Sequence, residues 1–219
     1  MTGYETRLVT LRFGEHELHV RALADLQQYD DPDGRAERAG ISSAQWSLFG
    51  HVWPAGCLLA RAMSDHPVEG KRILELGCGL GLASLVLKKR GADVLATDHH
   101  PLAPEFLAAN AALNGLPPVP YRNLDWNEPA PDLGRFDLII GSDILYERRH
   151  AALLAPVFER HAKDYAEIVI ADPGRGNSAL MNRVLAAQGY AVEETRAAMA
   201  EDEVVPFRGR LLTYRRRTQ

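Results

Sequence analysis

Cysteine is scarce in this 219-residue chain, which has only Cys57 and Cys78. Neither sits in a close-spaced metal-binding pattern and two cannot build a disulfide framework, so the usage points to a reducing compartment. Basic charge is not in excess, with 25 Lys and Arg against 29 Asp and Glu. That argues against a non-specific nucleic-acid binder, because affinity for phosphate needs a surplus of cations. No apolar run reaches the roughly 18 residues that span a bilayer. The first residues alternate polar and apolar, with Glu5, Arg7, Arg12 and Glu15, where a secretory leader has a basic start and an apolar core. The expectation is a cytoplasmic protein with neither membrane nor nucleic acid as partner. The close histidine pairs, His16 with His19 and His99 with His100, lack a neighbouring cysteine or third histidine, so no metal site is expected.

Hydrophobic residues make up 46% and charged residues 25%, the usage of an ordinary globular domain, and the length suits one α/β domain with a full core. Residues 7 to 22 alternate around Gly14 and Glu15 and predict a hairpin. Residues 28 to 43 are polar and turn-rich and read as a loop. Pro54 can open a helix with Leu58, Leu59 and Met63 on one face. From residue 72 the pattern alternates between strand and helix. RILELGCG, DVLATD, VPYRNLDW, FDLIIGSD and AEIVIADPG read as strands, and the first two helices close at Gly91 and at Asn114 with Gly115. YAVEETRA and GRLLTYRRR add two strands with no helical segment between them. The fold expected is α/β and doubly wound: a seven-stranded, mostly parallel sheet with an antiparallel C-terminal hairpin at one edge. Ligands would bind at the carboxyl ends of the strands. Residues 1–47 would form a hairpin and loop extension packed on a core domain of residues 48–219. The run Arg215, Arg216 and Arg217 reads as a solvated tail.

The first of the alternating strands leads into ELGCGLGLAS, with Gly77, Gly79 and Gly81 ahead of a helix. Glycines there let the backbone turn tightly and approach a ligand, with the helix N-terminus beyond. The dinucleotide fingerprint asks for Gly or Ala three residues after the second glycine, and Leu82 stands there. Two acids narrow the ligand. Asp98 ends the next strand, 21 residues after Gly77, where a carboxylate can accept both hydroxyls of an adenosine ribose. Glu75 lies just before the loop, where it would repel a pyrophosphate yet suit a phosphate-free cofactor with a cationic end, such as S-adenosylmethionine. After the third strand, Asp125 can accept from an adenine amine with Trp126 against the ring. The other reading is a turn in which Asp125 caps and Trp126 packs.

The fourth strand runs into LIIGSDILYE, residues 138 to 147. Leu138, Ile139 and Ile140 are apolar, Gly141 and Ser142 break the run, and Asp143 and Tyr146 follow. In the usual strand order this exit faces the glycine loop. Asp143 and Tyr146 are then candidates for the reaction and Ser142 for the cofactor, unless Asp143 merely caps a helix starting near Tyr146. Asp172 and Arg175, in ADPGRGN after the fifth strand, are candidate substrate contacts, the other reading being a turn that Asp172 initiates.

Taken together, ILELGCGLGLASL, TDHHP, LDW and FDLIIGSDILYE, preceded by HVWPAG, resemble the class I, seven-β-strand methyltransferases that use S-adenosylmethionine. Within these they resemble the family-16 group, which includes protein lysine methyltransferases. The resemblance runs from about residue 48 to the end; the glycine loop marks the superfamily, while the Trp-Pro segment and the D-x-x-Y after the fourth strand mark the group. It implies a Rossmann-like methyltransferase fold in which Glu75, Gly77 and Gly79 hold the methionine part of the cofactor, Asp98 the ribose, Asp125 with Trp126 the adenine, and Trp53 borders it. ADPGRGN is similar to a segment of the enzymes that methylate the electron-transfer flavoprotein β-subunit. The function implied is N-methylation of a lysine presented by a protein substrate. The alternatives are methylation of a small-molecule amine and a non-catalytic module that keeps the cofactor fold.

Methyl transfer from a sulfonium is an in-line displacement, so the protein has mainly to align the reactants. A lysine acceptor must also be neutral, which at an ordinary pKa of about 10.4 costs about 4.6 kcal/mol at pH 7. Asp143 cannot lower that cost by its charge, since a nearby carboxylate raises the pKa of an ammonium. Its expected role is to capture and orient the amine, with Tyr146 hydrogen-bonding it or offering a ring face. DNA amino-methyltransferases carry an Asn- or Asp-Pro-Pro-aromatic motif where this chain has SDILYE, and the Tyr-x-x-x-Lys pair of nicotinamide enzymes does not occur.

Overall fold

A computed structural model describes residues 3–197, 207 and 209–216. The predicted hairpin is β1 (Thr6–Phe13) and β2 (His16–Leu23), antiparallel about Gly14 and Glu15. The segment read as a loop holds two one-turn helices, α1 (Arg35–Arg38) and α2 (Ser43–Trp46), too short to leave a periodic signal in the sequence. A 3-10 turn, Ser47–Gly50, leads to α3 (Pro54–Met63). Pro54 opens α3, where its missing N–H has no helical partner to lose. Next come β3 (Arg72–Leu76), α4 (Leu82–Lys89), β4 (Asp93–Asp98), α5 (Ala103–Leu113), β5 (Tyr121–Asn123) and β6 (Phe136–Ser142). The series closes with α6 (His150–His161), β7 (Ala162–Asp172), α7 (Ser178–Ala187), β8 (Tyr190–Arg196) and β9 (Arg210–Arg216).

The main sheet has seven strands in the order β5-β4-β3-β6-β7-β9-β8. The first five run parallel, and β9 lies antiparallel to both β7 and β8. This is the doubly wound α/β fold expected, with the C-terminal hairpin at one edge. The predicted third strand shrinks to the three residues of β5, because Pro117, Pro118 and Pro120 remove ladder donors just upstream. The arginine run differs from the solvated tail expected. Arg215 belongs to β9 and pairs with Glu167 at 2.5 Å and Glu193 at 3.0 Å, while Arg216 lies over the Tyr190 ring. Arg217 lies outside the described residues.

Side chains alternate between the two faces of the sheet, as the pleat requires. Ile73, Leu138, Ile140, Val169 and Ala171 face α3, α4 and α5, whereas Leu74, Leu76, Ile139, Ile168 and Ile170 face α6 and α7. Each of these valines, leucines and isoleucines, when fully buried, contributes about 1.5–3 kcal/mol. The hairpin joins the first face. Phe13, Leu18, Val20 and Leu23 share its apolar cluster with Phe106 and Leu107 of α5. Asn110 of α5 and Asn114, which caps its C-terminus, pair with the outer edge of β2 as a neighbouring strand would. Asn110 Oδ1 accepts from the Arg21 N–H at 2.7 Å and its Nδ2 donates to the Arg21 carbonyl at 3.3 Å. Asn114 does the same for His19, at 2.8 and 2.7 Å. No described helix is long and apolar enough to cross a membrane.

Candidate active site

The chain winds outward in opposite directions from β3 and β6, which pair side by side, and their carboxyl ends open a crevice at that switch point. A cleft of about 730 Å³ occupies it, within the range of small-molecule sites. Of the residues singled out in the sequence, it brings together Trp53, Glu75, Gly77, Gly79, Asp98, Asp125, Trp126, Ser142, Asp143, Tyr146 and Arg175 on one wall or another.

The glycine loop between β3 and α4 keeps Gly77, Gly79 and Gly81 in the left-handed region, at φ of 64°, 52° and 77°. Gly79 has a second reason to be glycine, since a Cβ there would stand 2.7 Å from the Phe49 carbonyl oxygen. Asp98 ties the loop to the end of β4. Its Oδ2 accepts from the Gly79 N–H at 2.7 Å, and its Oδ1 from the His100 N–H at 2.8 Å. Burial pushes the Asp98 pKa up against the pull of those backbone bonds. Each oxygen keeps a second lone pair, so the residue can still accept from a diol.

Glu75 points from β3 toward the start of α4. Its Oε2 accepts from the Ser84 N–H at 3.0 Å and from the Ser84 hydroxyl, satisfying one of the amides that a helix leaves open at its N-terminus. Full burial outweighs those bonds and raises its pKa to about 7, with Asp98 adding to the rise. At neutral pH the side chain is therefore close to half protonated.

The LDWN turn shows the capping and packing of one of its two readings, and both Asp125 and Trp126 line the cleft. Asp125 Oδ1 accepts from the Asn127 N–H at 2.8 Å and from its side-chain amide at 2.7 Å, an Asx turn. Burial pushes the Asp125 carboxyl up, but these bonds outweigh it and the pKa ends lowered. Trp126 packs edge-on against His150, with ring centroids 5.3 Å apart, while lining the cleft. Trp53 is fixed by its indole N–H, which donates to the Leu48 carbonyl at 2.8 Å.

Strand β6 does not break where the sequence suggested. It runs through Gly141 and Ser142 and turns at Asp143, the only described non-glycine residue with positive φ, at 51°. A polar residue held there stores local strain, a feature concentrated at functional positions. The Asp143 N–H donates to the Ala171 carbonyl at 2.9 Å, pinning the turn to the end of β7. The carboxylate does not cap a helix, because α6 starts only at His150. It accepts instead from Arg175, Nε to Oδ1 at 2.8 Å and Nη2 to Oδ2 at 2.6 Å. Tyr146 is 43% exposed, its ring edge-on to His150 at 4.3 Å. Burial raises its phenol pKa, with Glu147 adding to the rise.

Asp172 requires a correction. It is 1% exposed, and its Oδ2 accepts from Arg210 Nε at 3.2 Å. Arg210 reaches on to Ser178 at the start of α7. The residue is absent from the cleft wall, and its pairing with Arg210 ties the start of the loop that carries Arg175 to β9. Conversely, Phe49, His99 and His100 line the cleft and were not identified as site residues in the sequence. His100 stacks on Phe49 at 3.9 Å, and burial lowers its pKa to about 3, so it is neutral at physiological pH. For His99 and His100 the one available signal was their position immediately after Asp98, at a strand exit.

Residues 41–181 match the family model described as lysine methyltransferase. The chain belongs to that family. Among curated relatives, it is 34% identical over 156 residues to the electron transfer flavoprotein beta subunit lysine methyltransferase of Mus musculus, a match covering 69% of this chain and 54% of that protein. To the protein N-lysine methyltransferase METTL21A of Danio rerio it is 40% identical over 147 residues, covering 61% of this chain and 66% of that one. The match thus spans about half the length of the mouse relative. This chain shares its fold with the ribosomal protein L11 methylase of Lactobacillus delbrueckii subsp. bulgaricus. That structure matches with a TM-score of 0.62 at 18% identity, covering 95% of this chain and 98% of the other.

Proposed function

We propose that this chain uses S-adenosylmethionine to methylate the side-chain nitrogen of a lysine on a protein substrate. The observation that carries the reading is a single cleft lined both by the glycine loop with Glu75 and Asp98 and by Asp143 and Tyr146. The first group fits the cofactor. Residues 75–83 include Glu75 and no lysine or arginine, which suits a ligand without phosphates and with a cationic end. Asp98 retains lone pairs for the ribose hydroxyls, Glu75 faces the methionine part, Gly77 and Gly79 allow close approach, and Asp125 with Trp126 receives the adenine. Trp53 and Ser142 complete the border.

S-adenosylmethionine supplies a methyl group on a cationic sulfur, and the acceptor nitrogen bonds to that carbon as the carbon–sulfur bond breaks. The protein's own contribution is to align the two and to keep other nucleophiles out. Asp143 and Tyr146 are the proposed acceptor-side residues, with Arg175 beside them. The electron-transfer flavoprotein β-subunit is the first substrate to try, given the mouse relative's name and the ADPGRGN segment. A cytoplasmic location is proposed from the two cysteines, which form no disulfide.

The test is transfer of radiolabelled methyl from S-adenosylmethionine to purified electron-transfer flavoprotein and to a cell lysate, followed by acid hydrolysis of the labelled protein. Recovery of the label as ε-N-methyl-lysine is expected. Label on arginine or histidine would replace the acceptor, label in small molecules would replace the substrate class, and no transfer by a protein that binds the cofactor would refute the activity.

A further inference from the structure

A bare carboxylate beside the acceptor lysine works against the reaction, because it stabilises the ammonium form. In the structure the carboxylate of Asp143 is not bare. We propose that Arg175 is a positioning residue that cancels the charge of Asp143, so that the acceptor amine meets a neutral pair and gives up its proton to water before it attacks. This rests on the methyl-transfer reading above.

Asp143 and the two glycines that flank Arg175 take unusual backbone. Asp143 sits at φ 51°. Arg175 lies between Gly174 and Gly176, at φ of 89° and 90°, where an added Cβ would meet nothing within 4 Å. The glycines are thus required by the path of the loop and not by crowding, and that path brings the guanidinium to Asp143. The result is a two-bond fork, the geometry in which arginine exceeds lysine as a partner for carboxylate. The Asp143 side chain is 13% exposed and that of Arg175 44%, and both line the cleft.

The other charged groups around the pair are already committed. Asp98 holds two backbone amides, Asp172 holds Arg210, and Glu147 holds Arg149 at 2.6 Å. His51, in the segment before α3, and His150 are kept neutral chiefly by burial, and the Tyr146 phenol is held protonated by the same effect. Glu75, Asp98 and Asp125 also line the cleft, accepting from neutral groups; removing Arg175 would add Asp143 to them as a carboxylate without its cation.

The test is a titration that needs no turnover. The protein is saturated with S-adenosylhomocysteine and mixed with N-acetyl-lysine methylamide carrying carbon-13 at Cε, and the NMR shift of the bound amide is followed with pH. In the native protein the midpoint is expected below the free value of about 10.4. In Arg175→Gln it is expected about one pH unit or more higher than in the native protein, and Arg175→Lys should restore most of the difference. Equal midpoints in the native protein and Arg175→Gln would overturn the proposal while leaving the methyl-transfer reading intact. Tighter binding of the ammonium form to Arg175→Gln with no displaced midpoint would also overturn it, showing that Arg175 competes with the acceptor. Failure of the amide to bind any of the three proteins would count against the acceptor site itself, and the proposal would fall with it.

Discussion

Glu75, placed by the proposal at the cofactor, comes at the expense of the fold. Its pKa of about 7, against an ordinary 4.5, means that the folded protein holds a proton which the unfolded chain has already released. The resulting contribution to stability is complete below about pH 4.5 and is lost as pH rises through 7, a difference of about 3 kcal/mol. His100 has the opposite sign. Its pKa is lowered to about 3, so its contribution is complete above pH 6.5 and is lost as pH falls. Comparing Glu75→Gln with the native protein isolates the first effect. In urea denaturation the gain from the substitution should be small at pH 4 and approach about 3 kcal/mol at pH 8; a gain independent of pH would refute the assignment. A cation bound beside Glu75 should favour its ionised form. S-adenosylmethionine binding at pH 7 is therefore expected to release protons, seen as a dependence of the calorimetric heat on buffer ionisation, and Glu75→Gln should lose most of that release. Residue types and spacing made Glu75, Asp98 and the glycine loop legible in the sequence. The Ser84 bonds to Glu75 and the Arg175 pair with Asp143 were not legible, because such partners are chosen by topology and leave no local pattern. The pairing of Asp172 with Arg210 was hidden for the same reason: nothing near Asp172 in sequence announces it.

At the scale of elements, periodicity was a good guide wherever it had room to repeat. The hairpin, α3 and the strands flanking the glycine loop fall where the patterns put them, whereas α1 and α2 are single turns and β5 is cut short by prolines. The packing of the hairpin on α5 was not legible, since asparagines on a helix face read as ordinary polar residues. Asn110 is fully buried and bonds both the N–H and the carbonyl of Arg21. Asn110→Ala would strand those groups, at an expected cost of about 1–3 kcal/mol, with faster hydrogen exchange at the Arg21 amide. Asn114→Ala, nearer solvent, should cost less. Gly79→Ala is expected to lower both the melting temperature and the affinity for S-adenosylmethionine, because the new Cβ would push the Phe49 carbonyl away from the loop.

At the scale of the molecule, the proposed division at residue 47 is one of sequence and not of packing. Tyr4, Phe13, Leu18 and Trp46 lie in the same apolar cluster as Phe49, Phe106 and Leu107. A fragment of residues 48–219 is expected to bind hydrophobic dye and to lose the steep denaturation transition, while residues 1–219 unfold in one step. The sheet order carries a further consequence, this time for biosynthesis. β9 seats between β7 and β8, yet the codons for both neighbours precede its own. Until residues 210–216 emerge, β7 presents an open edge and β8 lacks its place in the sheet, a template on which another nascent chain could pair. A message truncated just before codon 210 would encode every cleft residue named above and still yield a polypeptide destined for chaperones and proteolysis.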